Sequence, residues 1–253
     1  MKVDLHISGR SYNADLSKPL DISLPAGDVK CFHAPDFAAE PLVSGEFIGA
    51  VKEGAPVNFF NVRINPHGNG THTECIGHIT EANESIHQLL DSYHFPARLV
   101  SAPLKKLKNG DQVVSIKALQ TACPEKLPEA LILRTLPNSD DKMRKDYSDT
   151  NPPYLHEEAM QYIVEQGVQH LLLDLPSVDR ERDNGKLVCH RLFWNVQGNT
   201  VSPVSRIRST ITELIFVPAE VKDGLYLLNL QLSPLPLDAV PSRPVLYQLN
   251  EIA

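Results

Sequence analysis

The stretch Asn65-Pro66-His67-Gly68-Asn69-Gly70-Thr71-His72-Thr73-Glu74-Cys75-Ile76-Gly77-His78 holds three of the chain's 10 histidines. Its reading sets the rest. In extended backbone, residues two apart share a face, so His72 and Glu74 aim at one point and His78 keeps the same parity. His67 has the opposite parity, but Gly68-Asn69-Gly70 permits a bulge or a turn that returns it to that face. Imidazole nitrogens beside a carboxylate form a ligand set for zinc, manganese or ferrous iron. An isolated histidine is more often a surface or hydrogen-bonded core residue, and this spacing matches no standard zinc pattern. The clustering within positions 67–78, with glycines interspersed, makes a purely structural reading harder, but spacing alone leaves a metal site and a structural role evenly balanced.

Further along, residues 151–167 read as a helix. Asn151 caps it and Pro152 suits its first turn. Glu157 and Glu158 lie near its positive end. Leu155, Ala159, Tyr162 and Ile163 form an apolar stripe, and Gly167 ends it. The apolar run 168–175 then reads as a buried strand that delivers Asp174-Leu175-Pro176-Ser177 to a loop. Other expected strands are 98–102, 130–134, 213–217, 225–232 and 245–249, with a short helix over 85–93. The 20 prolines indicate many turns and strand ends. The pattern is that of a strand-rich α/β domain spanning residues 1–253, with the polar stretch 138–153 as a surface excursion.

The net charge is -7 and the pI about 5.8. This argues against nucleic acid or an anionic membrane as partner, since either needs a basic patch. No apolar run approaches the roughly 18 residues of a membrane span, and MKVDLHISGRSYNADL contains no export-type apolar core. The cysteines Cys31, Cys75, Cys123 and Cys189 form no CxxC pair. A reduced, cytoplasmic setting is expected.

The block Gly70-Thr71-His72, with Glu74 two residues and His78 six residues later, resembles the core motif H-x-G-T-H-x-D-x-P-x-H of the metal-dependent cyclase family, which includes bacterial kynurenine formamidase and isatin hydrolase. The likeness continues through Phe95-Pro96-Ala97-Arg98, Arg134-Thr135, Asp174–Asp179, His190-Arg191-Leu192 and Glu213-Leu214, and loosely through Ser242-Arg243-Pro244-Val245. It implies a swivelling α/β/β fold, a mixed sheet or barrel with flanking helices. It implies metal ligands at His72, Glu74, His190 and Glu213, and a proton-transferring histidine at His78. The family's first metal histidine falls on Gly68, one residue after His67, which makes His67 the expected substitute. Glu74 stands where the family has aspartate, and Ile76 where it has proline. The resemblance further implies one or two divalent ions, zinc or manganese. It implies hydrolysis of an N-formyl amide or cyclic amide such as a lactam, the arylformamidase chemistry of tryptophan catabolism. It also implies a homodimer.

Two other readings compete. Cys75 beside Glu74, or Cys189 beside His190, would serve as a nucleophile only if a base made it a thiolate. Alternatively, the chain is a non-catalytic metal- or small-molecule-binding protein on the same scaffold, a reading favoured by the shifted His67 and the altered Glu74. His6, His33, His87, His94, His156 and His170 read as structural or surface residues. Asp174 and Ser177 read as turn residues, and Trp194 as core.

Overall fold

The computed structural model describes residues 1–252. Seven strands carry the architecture: β1 His72–Glu74, β2 His94–Lys106, β3 Ala130–Leu136, β4 His170–Leu173, β5 Thr210–Glu213, β6 Gly224–Leu232 and β7 Ala239–Ile252. Strands β2, β3, β4 and β5 pair in parallel. Strand β1 runs antiparallel between β5 and β7. Strand β6 then pairs antiparallel with both β7 and β2, which closes the ring into a barrel. A barrel leaves few open edges, a solution to the unpaired backbone of a sheet. The wider sheet has 12 strands. The strand-rich α/β class and the mixed barrel match the expectation.

Alternation along the strands supplies two cores. Phe95, Ala97, Leu99, Ala130, Ile132, Leu172, Tyr226, Leu228 and Leu230 form one cluster inside the barrel. Val100, Leu131, Leu133, Leu171, Leu173 and Ile211 form the other with the helices. Those helices are α3 Ile116–Ala122, α4 Glu157–Glu165 and α5 Val188–Trp194. They follow two shorter ones, α1 Pro66–Asn69 and α2 Ile86–Leu89.

Several boundaries differ from the sequence reading. Helix α4 starts at Glu157, capped by His156, because Tyr154–Leu155 pairs in parallel with Val113 and Val114. Asn151, at φ 48, bonds through its side chain to Asp111 instead of capping the helix. Strand pairing here overrides helical periodicity. The helix expected over 85–93 shrinks to Ile86–Leu89. The strand expected over 213–217 is displaced to Thr210–Glu213, because Leu214 adopts a left-handed φ of 56 and its N–H bonds Leu175. Within 138–153, Tyr147 and Pro152 are buried and most other side chains are exposed or half-buried. Lys142 from this stretch bonds the buried Asp174 at 2.7 Å. Residues 38–63 carry two small antiparallel pairs, Ala38–Pro41 with Phe60–Arg63 and Val43–Ser44 with Phe47–Ile48. Val43, Val57, Phe59, Phe60 and Val62 of this arm are exposed. No helix among the described residues is long and apolar enough to cross a membrane.

His170 illustrates a core histidine. Its Nδ1 lies 2.9 Å from Thr210 Oγ1 and its ring packs 4.0 Å from that of Phe95. Burial, assisted by Arg206, pushes it down to about 4 from 6.5. The unfolded chain therefore binds a proton that the folded chain refuses. Stability should be full above pH 6.5 and fall as the pH drops toward 4, by about 1.4 kcal/mol per pH unit. In urea titrations across that range, His170→Gln should show a shallower pH slope than the unmodified chain.

Candidate metal centre

The site is assembled from β1, β5 and α5, with α1 and a 3-10 turn at its mouth. Register does most of the positioning. His72 lies directly opposite Glu213 in the antiparallel β1–β5 pair, and Glu74 opposite Ile211. Opposed residues share a face with Cβ atoms roughly 5 Å apart, so both acids and His72 face the helix layer. On the other face, Thr73 is held by Thr212 and Ser242, each at 2.8 Å. His72 Nε2 lies 3.5 Å from Glu213 Oε2. Glu213 is fixed in turn by the Val178 N–H at 2.9 Å, and His72 Nδ1 lies 3.1 Å from the Gly70 carbonyl.

Helix α5 presents His190. The Asp179 carboxylate accepts the backbone N–H groups of Cys189 and His190 at the helix start, at 2.8 and 3.1 Å. It also contacts His190 Nδ1 at 2.7 Å. That leaves His190 Nε2 facing Glu74 Oε1 at 3.0 Å. Trp194 lies against His190 with ring centroids 5.5 Å apart. It is fully buried, with its N–H donated to Ser209.

His67 arrives by a helical turn, not a β-bulge. Asn65 caps α1 by accepting the Gly68 N–H, and Pro66 occupies its first turn. His67 Nδ1 then lies 3.3 Å from Glu74 Oε2. A Cβ on Gly68 would meet Ala34 Cβ at 2.2 Å and the Cys31 carbonyl at 3.1 Å. This explains the one-residue offset: position 68 has no room for a side chain, while position 67 faces the site. His78 also arrives by a turn, Ile76–Ile79, so strand parity does not carry it there. Its Nε2 lies 3.7 Å from Glu74 Oε2.

The six sequence candidates thus converge, with Glu74 at the centre. His67, Glu74 and His78 offer ligand atoms within 4.8 Å of one another, as do His72, Glu74 and Glu213. Two of the buried atoms, His72 Nε2 and Glu74 Oε2, have no hydrogen-bond partner. Two imidazole nitrogens nevertheless approach Glu74 Oε2 without hydrogen-bond geometry. An unsatisfied buried polar group costs about 1–3 kcal/mol, more if charged. Lone pairs converging from nitrogen and oxygen are what a divalent cation satisfies, so the residues present fit such an ion.

The electrostatics agree. Burial alone would depress His67, but Asp238 and Glu74 outweigh it and raise it to about 10. His190 is likewise depressed by burial and raised to about 10 by Asp179 and Glu74. Burial would raise Glu74, yet His78, His190 and His67 hold it well below its ordinary value. The pocket therefore carries a strongly negative field that favours cations.

The cysteines lack the activation a nucleophile needs. All four are free and buried. Burial pushes Cys75 up to about 12 and Cys189 well above its usual value, with their thiols donated to the carbonyls of Glu84 and Leu155. Sequence reasoning gave no role to two acids that contact the site. Asp179 ends the Asp174–Asp179 run, whose family resemblance was the available signal; it reaches the start of α5 from ten residues away. Asp238 is a lone acid ahead of an apolar strand, and no spacing rule identifies it.

Comparison with known proteins follows the same line. The family model described as "Putative cyclase" matches residues 14–180, and the chain belongs to that family. The matched span ends before His190, Glu213 and Asp238. Isatin hydrolase A from Labrenzia aggregata, bound to benzyl benzoate, is similar in fold with a TM-score of 0.65. The identity is 12% over 91% of this chain and 93% of that one. Isatin hydrolase A from Ralstonia solanacearum gives a TM-score of 0.64 at 14% identity, covering 91% of each chain. A predicted metal-dependent hydrolase from Bacillus stearothermophilus gives 0.59 at 14% identity, over 91% of this chain and 98% of that one. No curated protein matches the sequence.

Gly68→Ala should lower stability by about 1–3 kcal/mol, read from the denaturant midpoint, since Ala34 must move to admit the methyl group. Gly68→His, which restores the family's spacing, should destabilise further rather than create a better site.

Proposed function

We propose that this chain is a metal-dependent hydrolase cleaving the carbon–nitrogen bond of a small N-formyl amide or cyclic amide, an arylformamidase-like reaction. The observation that carries this reading is the pair of buried, unpartnered donor atoms, His72 Nε2 and Glu74 Oε2, inside a cluster of histidines and acids. His67, His72, Glu74, His190 and Glu213 would hold one or two divalent ions, zinc or manganese. Such an ion supplies Lewis acidity and would lower the pKa of water to about 7.

The chain's own residues divide the remaining work. His72, Glu74, His190 and Glu213 are buried, whereas His67, His78 and Asp238 are half-buried. A substrate therefore reaches the cluster from the His67–His78 side. A cavity of about 370 Å³ opens beside His78, lined by Thr80, Glu81, Arg191 and Asn199 among others. Its size falls within the range of small-ligand sites. The lining is polar, which suits a small polar amide. His78, half-buried like His67 but outside the proposed ligand set, takes the role of carrying a proton to the leaving nitrogen. Asp179 keeps His190 aligned, as carboxylates behind metal-binding histidines do.

The homodimer that the resemblance implies belongs to the same proposal. The exposed apolar side chains of the 38–63 arm support it, since contiguous apolar surface marks association sites.

Elemental analysis of purified protein loaded with zinc or manganese tests the reading. The wild type should retain metal through gel filtration and His72→Ala should lose most of it; metal-free wild type would end the proposal. Within a panel of formamides, lactams and lactones, His78→Gln should keep its metal but lose about 100-fold or more in kcat. Undiminished turnover would remove His78 from the proton role. Metal-loaded protein inert across the whole panel would favour the binding-protein reading.

A further inference from the structure

Asp238 is the residue just before β7 and belongs to neither of the two ligand groups. Pairing places it there: Ala239 sits opposite Glu74, and the Asp238 carbonyl accepts the Cys75 N–H at 3.0 Å. One side-chain oxygen, Oδ2, lies 3.1 Å from His67 Nε2 and 3.2 Å from His78 Nδ1. The same two rings face Glu74 Oε2 through their other nitrogens, His67 Nδ1 and His78 Nε2. Their centroids are 4.4 Å apart, so the two imidazoles stand side by side between the two carboxylates.

We infer that Asp238 is a positioning residue which, through a single carboxylate oxygen, aims both His67 and His78 at Glu74. The inference rests on the metal-site reading above. An ionised carboxylate only accepts hydrogen bonds, and a neutral imidazole has one N–H and one lone pair. With a divalent ion held at the cluster the rings are neutral, and both contacts to Oδ2 then place N–H on the Asp238 side and lone pairs on the Glu74 side. The consequence is specific: His67 takes the Nε2–H tautomer and His78 takes the Nδ1–H tautomer. The rings are opposite in tautomer yet aligned in direction. The other nitrogen of each ring faces Glu74 without hydrogen-bond geometry, so without Asp238 no hydrogen bond fixes the direction of either ring. The proton carried by His78 at its outer nitrogen would then have no fixed acceptor. This is the arrangement by which outer carboxylates fix ring orientation in metal sites, here shared between two histidines.

The test uses the full-length, zinc-loaded protein and two readouts independent of turnover. Imidazole nitrogen NMR of the wild type should find His67 protonated at Nε2 and His78 protonated at Nδ1. In calorimetric titration, Asp238→Ala should bind zinc about 10- to 100-fold more weakly. Asp238→Asn, whose amide oxygen still accepts, should lie between the two. Circular dichroism and thermal melts of both variants verify folding, and the volume-conserving Asn variant carries the test if the Ala variant unfolds. Wild-type zinc affinity in the folded variants, or His78 protonated at Nε2 in the wild type, overturns the inference while leaving the metal site intact. Failure of the wild type to bind zinc or manganese overturns the metal site itself.

Discussion

The site depends on one cross-strand pair, His72 opposite Glu213. These residues are remote in sequence and come together because a three-residue strand, β1, is inserted antiparallel between β5 and β7. A shift of one residue in that register would turn His72 and Glu74 to the other face. The register is held from behind by the hydroxyls of Thr73, Thr212 and Ser242. It is held at its end by Thr71, whose hydroxyl donates to the Leu214 carbonyl at 2.5 Å while accepting the Leu24 N–H at 2.7 Å. The polar groups behind the strand thus set the orientation of those in front.

The barrel gives this short strand its neighbours. Four parallel strands bring the Asp174–Asp179 loop and Glu213 toward one region, and α5 returns across the outer face. The left-handed Leu214 ends β5 directly after Glu213, so the acid stands at a strand terminus. Asp179 contributes twice, as the cap of α5 and as the partner of His190. A helix of seven residues has little intrinsic stability. Its orientation, and with it that of His190, comes from the cap and from the burial of Phe193 and Trp194.

Glu74 organises the charges. Its two oxygens face His190 on one side and His67 with His78 on the other. One carboxylate thus serves both sides. The one-residue offset of His67 follows equally from packing: the turn of α1 lies against Ala34 and Cys31 at position 68, which leaves position 67 to face the centre. Both departures from the family motif are thereby compatible with the same cluster of donors.

Much of the site was legible in sequence. The density of histidines around Gly70-Thr71-His72 and the two-residue spacing to Glu74 located β1 and the donors it presents, because strand periodicity is a local property of the backbone. Resemblance supplied His190 and Glu213, which no local pattern connects. What periodicity could not reveal was how His67 and His78 reach the centre, since both ride on single helical turns fixed by distant contacts. Nor could it reveal that Tyr154–Leu155 would leave the expected helix to pair with Val113 and Val114. The sequence by itself determined the residue types, their local faces and the strand-rich class. Only the tertiary structure decided register, ring direction and the part played by Asp238, because those depend on hydrogen bonds between segments more than 100 residues apart.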